Sequence, residues 1–415
     1  MTQTLPTAPA DLRRWPDVAA VPHAGLRARI AAALARRTAA RLPLRIVLPD
    51  GSDLGNTGAA DRAMPALRLH RPDAFFRRLG ARGLIGFGES YQAGDWDSDD
   101  LVGLLTVLAC DVATLVPPLL QRLRRIYTDA QPTTDDGSVG NARHNIARHY
   151  DLSNDMFALF LDETMTYSSA LFAPGDSLTA AQHRKIDRLL DRAEVGPGTR
   201  LLEIGTGWGE LAVRAARRGA TVHTITLSEQ QRRHAVDYAR RAGVGRQVRV
   251  ELRDFRQLTG ARAYDAVVSV EMIEAVGERY WPEYFGVLAR MLAPGGRVGL
   301  QSITMPHARL LASRHSHTWI QKYIFPGGLI PSVQVVGDQA GEAGLRIVDR
   351  FAFGADYART LSLWRERFEQ RWEQVAALGF DDTFRRTWRL YLAYSEAGFA
   401  SGYLDVHQFT MEVAP

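Results

Sequence analysis

A chain of 415 residues, 46% hydrophobic and 23% charged, has the composition of a soluble globular protein and the length of a main domain with a smaller companion. Its formal net charge of +5 is carried almost wholly by arginine, with lysine only at Lys185 and Lys322; it permits attraction to anionic headgroups, and no nucleic-acid partner is expected. The single cysteine, Cys110, excludes an internal disulfide and a cysteine-rich metal site, and its apolar run "LVGLLTVLAC" places it in packing.

Residues 1 to about 18 are rich in Pro and Ala and read as loose, without the apolar core of a signal peptide. Gly25 to Arg41 reads as a helix, "PLRIVLPDG" and "PALRLHRPDAFFRRL" as short strands and then a helix. In "DWDSDDLVGLL", acidic residues cap an apolar helix. These pieces predict a small α+β domain over residues 1–127. The segment "TDAQPTTDDGSVGNAR" supplies a linker, 128–143, before a main domain over 144–415. There, "TRLLEIG", "ATVHTITL", "VRVEL", "YDAVVSV", "RVGLQSIT" and "LRIVDRFAF" read as strands separated by helices, which predicts an α/β fold with a mainly parallel sheet. Long helices follow, from Tyr357 to about Leu378 and from Asp382 to about Gly398. No apolar run reaches membrane-spanning length, so a cytoplasmic location is expected.

The most informative stretch runs from Thr199 to Gln231, a strand, a glycine turn, a helix and a second strand. In Glu203-Ile204-Gly205-Thr206-Gly207-Trp208-Gly209, three residues lack Cβ, so a ligand can approach the backbone closely. The spacing is GxGxG rather than the GxGxxG of dinucleotide folds, and no phosphate-loop motif is present. A zwitterionic amino acid carrying adenosine suits such a turn. At the end of the second strand, where a ribose-binding acid is common, stand Thr226, Leu227 and Ser228, with Gln231 one helical turn on. Their hydroxyl and amide groups can serve ribose hydroxyls.

The strings "NIARHYDLSNDMFALFLDETMTYSSALF", "SLTAAQHRKIDRLL", "LLEIGTGWGELA", "VSVEMIEAVGERYWPEYF" and "IQKYIFPGGLIPS" carry a resemblance to the cyclopropane-fatty-acid synthase family of S-adenosylmethionine-dependent methyltransferases. "FGADYARTLSLWRERF" extends it. The resemblance implies a class I methyltransferase sheet of Rossmann-like type, with the N-terminal domain serving lipid binding or dimer contacts. It places Tyr167, Ser168, Gly205 and Gly207 at the methionine end of the cofactor and Thr226, Leu227 and Gln231 at its ribose, with Glu203 also among the cofactor-binding residues. Asp254 and Phe255 fall at adenine. It further implies a bicarbonate ion, serving as a base, held by Ser169, Glu274, Gln301, Ile303 and Tyr357. Two of these depart from the family pattern: Ser169 stands for the usual cysteine and Gln301 for the usual histidine. Neither supplies a thiol or a titratable imidazole.

Methyl transfer to an isolated cis double bond creates a carbocation, so such a site must exclude water, stabilise positive charge and remove a proton. Proton loss with ring closure gives a cyclopropane; a hydride shift followed by proton loss gives an exocyclic methylene. The segment "LQSITMPHARLLASRHSHTWIQKYIFPGGLIPS" resembles the actinobacterial branch linked to 10-methylene and 10-methyl fatty acids, in which a separate reductase saturates the methylene. This favours the methylene product on unsaturated phospholipid acyl chains, met at the inner membrane surface. Cyclopropane formation stays open. So do a methyltransferase for a soluble small molecule and a lipid-binding protein without catalysis. His144 and His149, with Asp151, have no further clustered ligand beside them, so no metal site is expected. "PPLLQRLRRIY" reads equally as a basic membrane contact or a domain-joining helix.

Overall fold

Short runs near the N-terminus form β1 (Arg45–Val47), β2 (Ala66–Leu69) and β3 (Trp96–Asp97), with β1 and β2 parallel and β2 and β3 antiparallel. The computed structural model describes residues 10–54, 64–111 and 153–414. Its chain divides into two units. One comprises Met1–Gln131, His315–Ile324 and Phe368–Tyr403; the other comprises Pro132–Arg314, Phe325–Arg367 and Leu404–Pro415. A division at 128–143 alone differs from this grouping, and that linker, with "PPLLQRLRRIY", His144, His149 and Asp151, lies outside the described residues.

The first unit is tied by buried charge. Arg78, 2% exposed, donates to the Asp95 carboxylate at 3.0 Å and to the backbone oxygens of Asp17, Val18 and Ala20. These bonds pin Asp17 and Val18, at the end of the stretch expected to be loose, together with Ala20. Lys322 pairs with Glu89 at 2.5 Å and Asp17 at 2.7 Å, and Trp319 donates to Gln92 at 2.9 Å. Arg386 donates to the backbone oxygens of Tyr91 and Trp96. Those contacts explain why 315–324 and 368–403 join the N-terminal segment. Asp100 caps the helix Leu101–Cys110 by accepting from Gly103 N–H at 2.8 Å. Cys110 is exposed, contrary to the expectation of packing: it ends that helix, whose buried residues are Leu101, Leu104 and Leu105.

The second unit holds the α/β sheet. Its strands are β4 (Arg200–Ile204), β5 (Thr221–Thr226), β6 (Val248–Leu252), β7 (Tyr264–Val270), β8 (Leu292–Thr304), β9 (Leu345–Ala352) and β10 (Asp405–Val413), in the order β6-β5-β4-β7-β8-β10-β9. The first five are parallel, and β10 runs antiparallel between β8 and β9. Helices cover both faces. Tyr284, Phe285 and Leu288 of Trp281–Met291 are fully buried in one core cluster, and Ile186, Leu189 and Leu190 of Leu178–Arg192 in another. Each such side chain contributes about 2 kcal/mol of hydrophobic stabilisation. Strand order reverses at β4, whose neighbours are β5 and β7. Its carboxyl end therefore opens the crevice where such sheets bind ligands.

Six of these strands match the sequence reading; β10 was not anticipated. His407, Gln408 and Thr410 are all buried within it, so its polar residues mask a strand enclosed on both faces. The C-terminal helices are Gly354–Gln370, Trp372–Ala377 and Asp382–Ala400, the first expected helix being interrupted at Arg371. No helix among the described residues is long and apolar enough to cross a membrane.

Candidate active site

The glycine turn follows β4 directly. Gly205, Gly207 and Gly209 all take positive φ (99°, 52° and 101°), which side chains resist. A Cβ on Gly205 would lie 2.5 Å from Met272 Cγ, and one on Gly209 would lie 3.0 Å from Ala235 Cβ, so those glycines serve close packing. A Cβ on Gly207 would meet no protein atom within 4 Å. Gly207 lines a cavity at the carboxyl ends of β4 and β5, and its bare backbone faces open space.

The same cavity is lined by Tyr167, Ser168, Glu203, Gly205, Thr226, Leu227, Gln231 and Phe255, all expected at the cofactor. Glu203 is 3% exposed and its Oε2 has no hydrogen-bond partner. Burial pushes its carboxyl up to about 8, against the opposing influence of Thr224 and Lys185. An acid with one unpaired oxygen beside an open glycine cradle fits an amino-bearing zwitterion such as S-adenosylmethionine. Thr226 donates its hydroxyl to Gln231 Oε1 at 2.9 Å, and Ser228 caps the helix Glu229–Arg241 by accepting from Gln231 N–H at 3.2 Å. Asp254 is placed differently. Arg256 engages both its carboxylate oxygens, at 2.8 and 2.7 Å, so Phe255 rather than Asp254 reaches the cavity.

Three of the five residues expected around an anion are brought together, but around a protein carboxylate. Ser169 N–H donates to Glu271 Oε1 at 3.0 Å, Gln301 Nε2 donates to the same oxygen at 2.8 Å, and the Tyr357 hydroxyl donates to Oε2 at 2.7 Å. Ser169 directs its own hydroxyl to the Ala170 carbonyl at 3.0 Å. Glu271 lines the cofactor cavity and holds φ at +50°, a left-handed conformation that is uncommon for a side-chain-bearing residue. Burial raises its carboxyl above the usual range, opposed first by the Lys185 charge and then by the three donors.

Glu274 is bonded separately. Its Oε1 accepts from Ile303 N–H at 2.5 Å and from the Ser302 hydroxyl at 2.9 Å, while its Oε2 is buried without a partner. Burial, reinforced by the Glu271 charge, pushes its carboxyl up to about 8, so the neutral form prevails at pH 7. Lys185, on Leu178–Arg192, donates to Ser168 Oγ at 2.6 Å. Burial lowers its ammonium to about 8 despite the attraction of Glu271, Asp162 and Glu203. Tyr167, which lines the cavity, is backed by aromatic packing: its ring centroid lies 5.3 Å from that of Trp364, which Tyr357 meets edge-on at 6.2 Å.

Neither Glu271 nor Lys185 was singled out from sequence. Two acids three apart in "VEMIEAV", at the end of a strand, could have flagged Glu271. Lys185, one of only two lysines in an arginine-rich chain, was the other available signal.

Known proteins resemble this chain in sequence and fold. Residues 138–409 match the family described as mycolic acid cyclopropane synthetase. A tuberculostearic acid methyltransferase of Mycobacterium tuberculosis is 56% identical over 99% of this chain and 98% of its own length. A cyclopropane-fatty-acyl-phospholipid synthase of Escherichia coli is 33% identical over 84% of this chain and 88% of its own. Among solved structures, a mycolic acid cyclopropane synthase complexed with SAH and CTAB superposes with a TM-score of 0.60 and 32% identity, over 68% of this chain and 98% of that one. The chain thus belongs to the mycolic acid cyclopropane synthetase family and is an S-adenosylmethionine-dependent methyltransferase.

Proposed function

We propose that this enzyme methylates the cis double bond of an unsaturated phospholipid acyl chain and releases a 10-methylene-type acyl product. The observation that carries this reading is the end-to-end 56% identity to a tuberculostearic acid methyltransferase, against 33% to a cyclopropane-forming relative. S-adenosylmethionine supplies, when bound, an electrophilic methyl group and retains the electron pair of the broken bond on sulfur. The chain's own residues do the rest. Gly207 lets the ligand approach the backbone, Glu203 offers its unpartnered oxygen, and Thr226, Gln231 and Phe255 line the nucleoside side. The alkene places its π pair on the incoming carbon and leaves its neighbour cationic, a charge that the Tyr167 ring bordering the cavity favours. A hydride shift to the cation precedes proton loss from the new methyl group. Contact with the membrane surface and saturation of the product by a separate reductase complete the proposal.

The test is incubation with S-adenosylmethionine and vesicles of a mono-unsaturated phospholipid, followed by proton NMR of the recovered fatty acid. Vinylidene protons support the reading. Upfield ring protons would assign a cyclopropane synthase instead.

A further inference from the structure

Three of the five residues implied as bicarbonate ligands, Ser169, Gln301 and Tyr357, spend a donor on Glu271. The other two, Ile303 and Glu274, bond each other. An added bicarbonate would find those donors taken and a carboxylate beside it. The residues present therefore do not fit that ion. A carboxylate and a bicarbonate present the same chemistry to such donors: a planar pair of oxygens sharing one negative charge.

We infer that the Glu271 carboxylate stands in place of an external anion and is the base that takes the proton from the transferred methyl group. The three donors come from separate parts of the fold: Ser169 from the segment before Leu178–Arg192, Gln301 from β8 and Tyr357 from Gly354–Gln370. They aim the carboxylate, while Lys185 supplies the compensating charge. The backbone of Glu271 is held at φ +50°, and strain of this kind persists where the surroundings fix a functional position. The side chain borders the same cavity as Gly205 and Gly207, the glycines assigned to the methionine end of the cofactor. Burial separately strengthens it as a base, by raising its proton affinity above that of an ordinary carboxylate.

The step balances within the substrate and this residue. After the hydride shift, a C–H bond of the new methyl group breaks and its electron pair forms the exocyclic double bond. The proton passes to a Glu271 oxygen, giving a neutral carboxylic acid that returns its proton to solvent before the next turnover. This role rests on the methyl-transfer reading above.

The test begins with the wild-type enzyme in bicarbonate-depleted buffer: turnover is expected to be unchanged when bicarbonate is restored. Glu271→Gln is expected to lose about 100-fold or more in turnover, the scale of general-base catalysis, while binding S-adenosylmethionine normally by calorimetry. Glu271→Gly leaves the three donors vacant and is expected to bind carbon-13 bicarbonate by NMR, with turnover partly rescued by that ion. The wild type is expected to bind none. Stimulation of the wild type by bicarbonate, near-normal turnover of Glu271→Gln, or no bicarbonate binding by a folded Glu271→Gly would each overturn the inference. If the wild type modifies no lipid, the function proposal fails, while the binding comparison still decides whether Glu271 occupies the anion position.

Discussion

Gln408 donates from Nε2 to the Gln301 carbonyl oxygen at 3.0 Å, and that contact decides which end of the Gln301 amide faces Glu271. Gln408 is itself fixed, donating to the Lys185 carbonyl at 3.0 Å and accepting from Arg188 at 2.7 Å. The Gln301 oxygen must therefore accept, and its NH2 must donate to the carboxylate. The two glutamines are register partners on β10 and β8, so a sheet pairing orients a residue of the site. An amide held this way donates at every pH without changing charge, whereas an imidazole would gain a proton near neutral pH.

Gln408→Leu removes that orientation with little change in size. Turnover is expected to fall roughly 5-fold, the effect of about 1 kcal/mol for one hydrogen bond, with cofactor affinity unchanged. Steady-state kinetics beside calorimetry checks this. A variant with normal turnover would show that Gln301 keeps its orientation without Gln408.

Gly207→Ala separates the cofactor cradle from the fold. Its Cβ meets no protein atom, so the cost to stability is limited to the strain of φ +52°, about 1 kcal/mol. The same methyl group enters the ligand's space, and S-adenosylmethionine affinity is expected to drop at least about tenfold, or 1.4 kcal/mol. Unaltered affinity by calorimetry would place the cofactor elsewhere.

Lys185→Met removes the cation that favours the ionised form of Glu271. The Glu271 proton affinity should rise, so the acid limb of the pH–rate profile should move to higher pH. A limb that stays in place would mean that Glu271 does not control it.

Glu274 governs a pH dependence of stability. Its folded-state pKa, pushed up to about 8, exceeds the unfolded value of roughly 4.3. Between those limits the folded form binds the extra proton, so the stability associated with Glu274 is full below the unfolded value and is lost as pH rises through about 8. Urea unfolding of the ligand-free protein at pH 5.5 and 8 should show a smaller loss for Glu274→Gln than for the wild type. The amide still accepts from Ile303 and Ser302 but cannot ionise. Equal losses would remove Glu274 from this account.

The glycine turn and the strands β4 to β9 were readable because apolar runs and turn chemistry are local signals. β10 was not, since buried His407, Gln408 and Thr410 disguise its enclosure and their partners lie far away in sequence. Ser169, Gln301 and Tyr357 could be named from the resemblance, but what they surround could not. Glu271 reaches them through a left-handed backbone at the end of β7, a conformation that no residue pattern announces. Asp254 shows the converse: its position matched, and a neighbouring arginine two residues away took its carboxylate.

The most direct measurement supplies S-adenosylmethionine labelled with carbon-13 in its methyl group, together with vesicles of a mono-unsaturated phospholipid, and follows the label by carbon NMR. The account predicts that the labelled carbon becomes the terminal CH2 of an exocyclic double bond in the acyl chain. Label in a cyclopropane ring, or absent from the lipid while the cofactor binds, would contradict it.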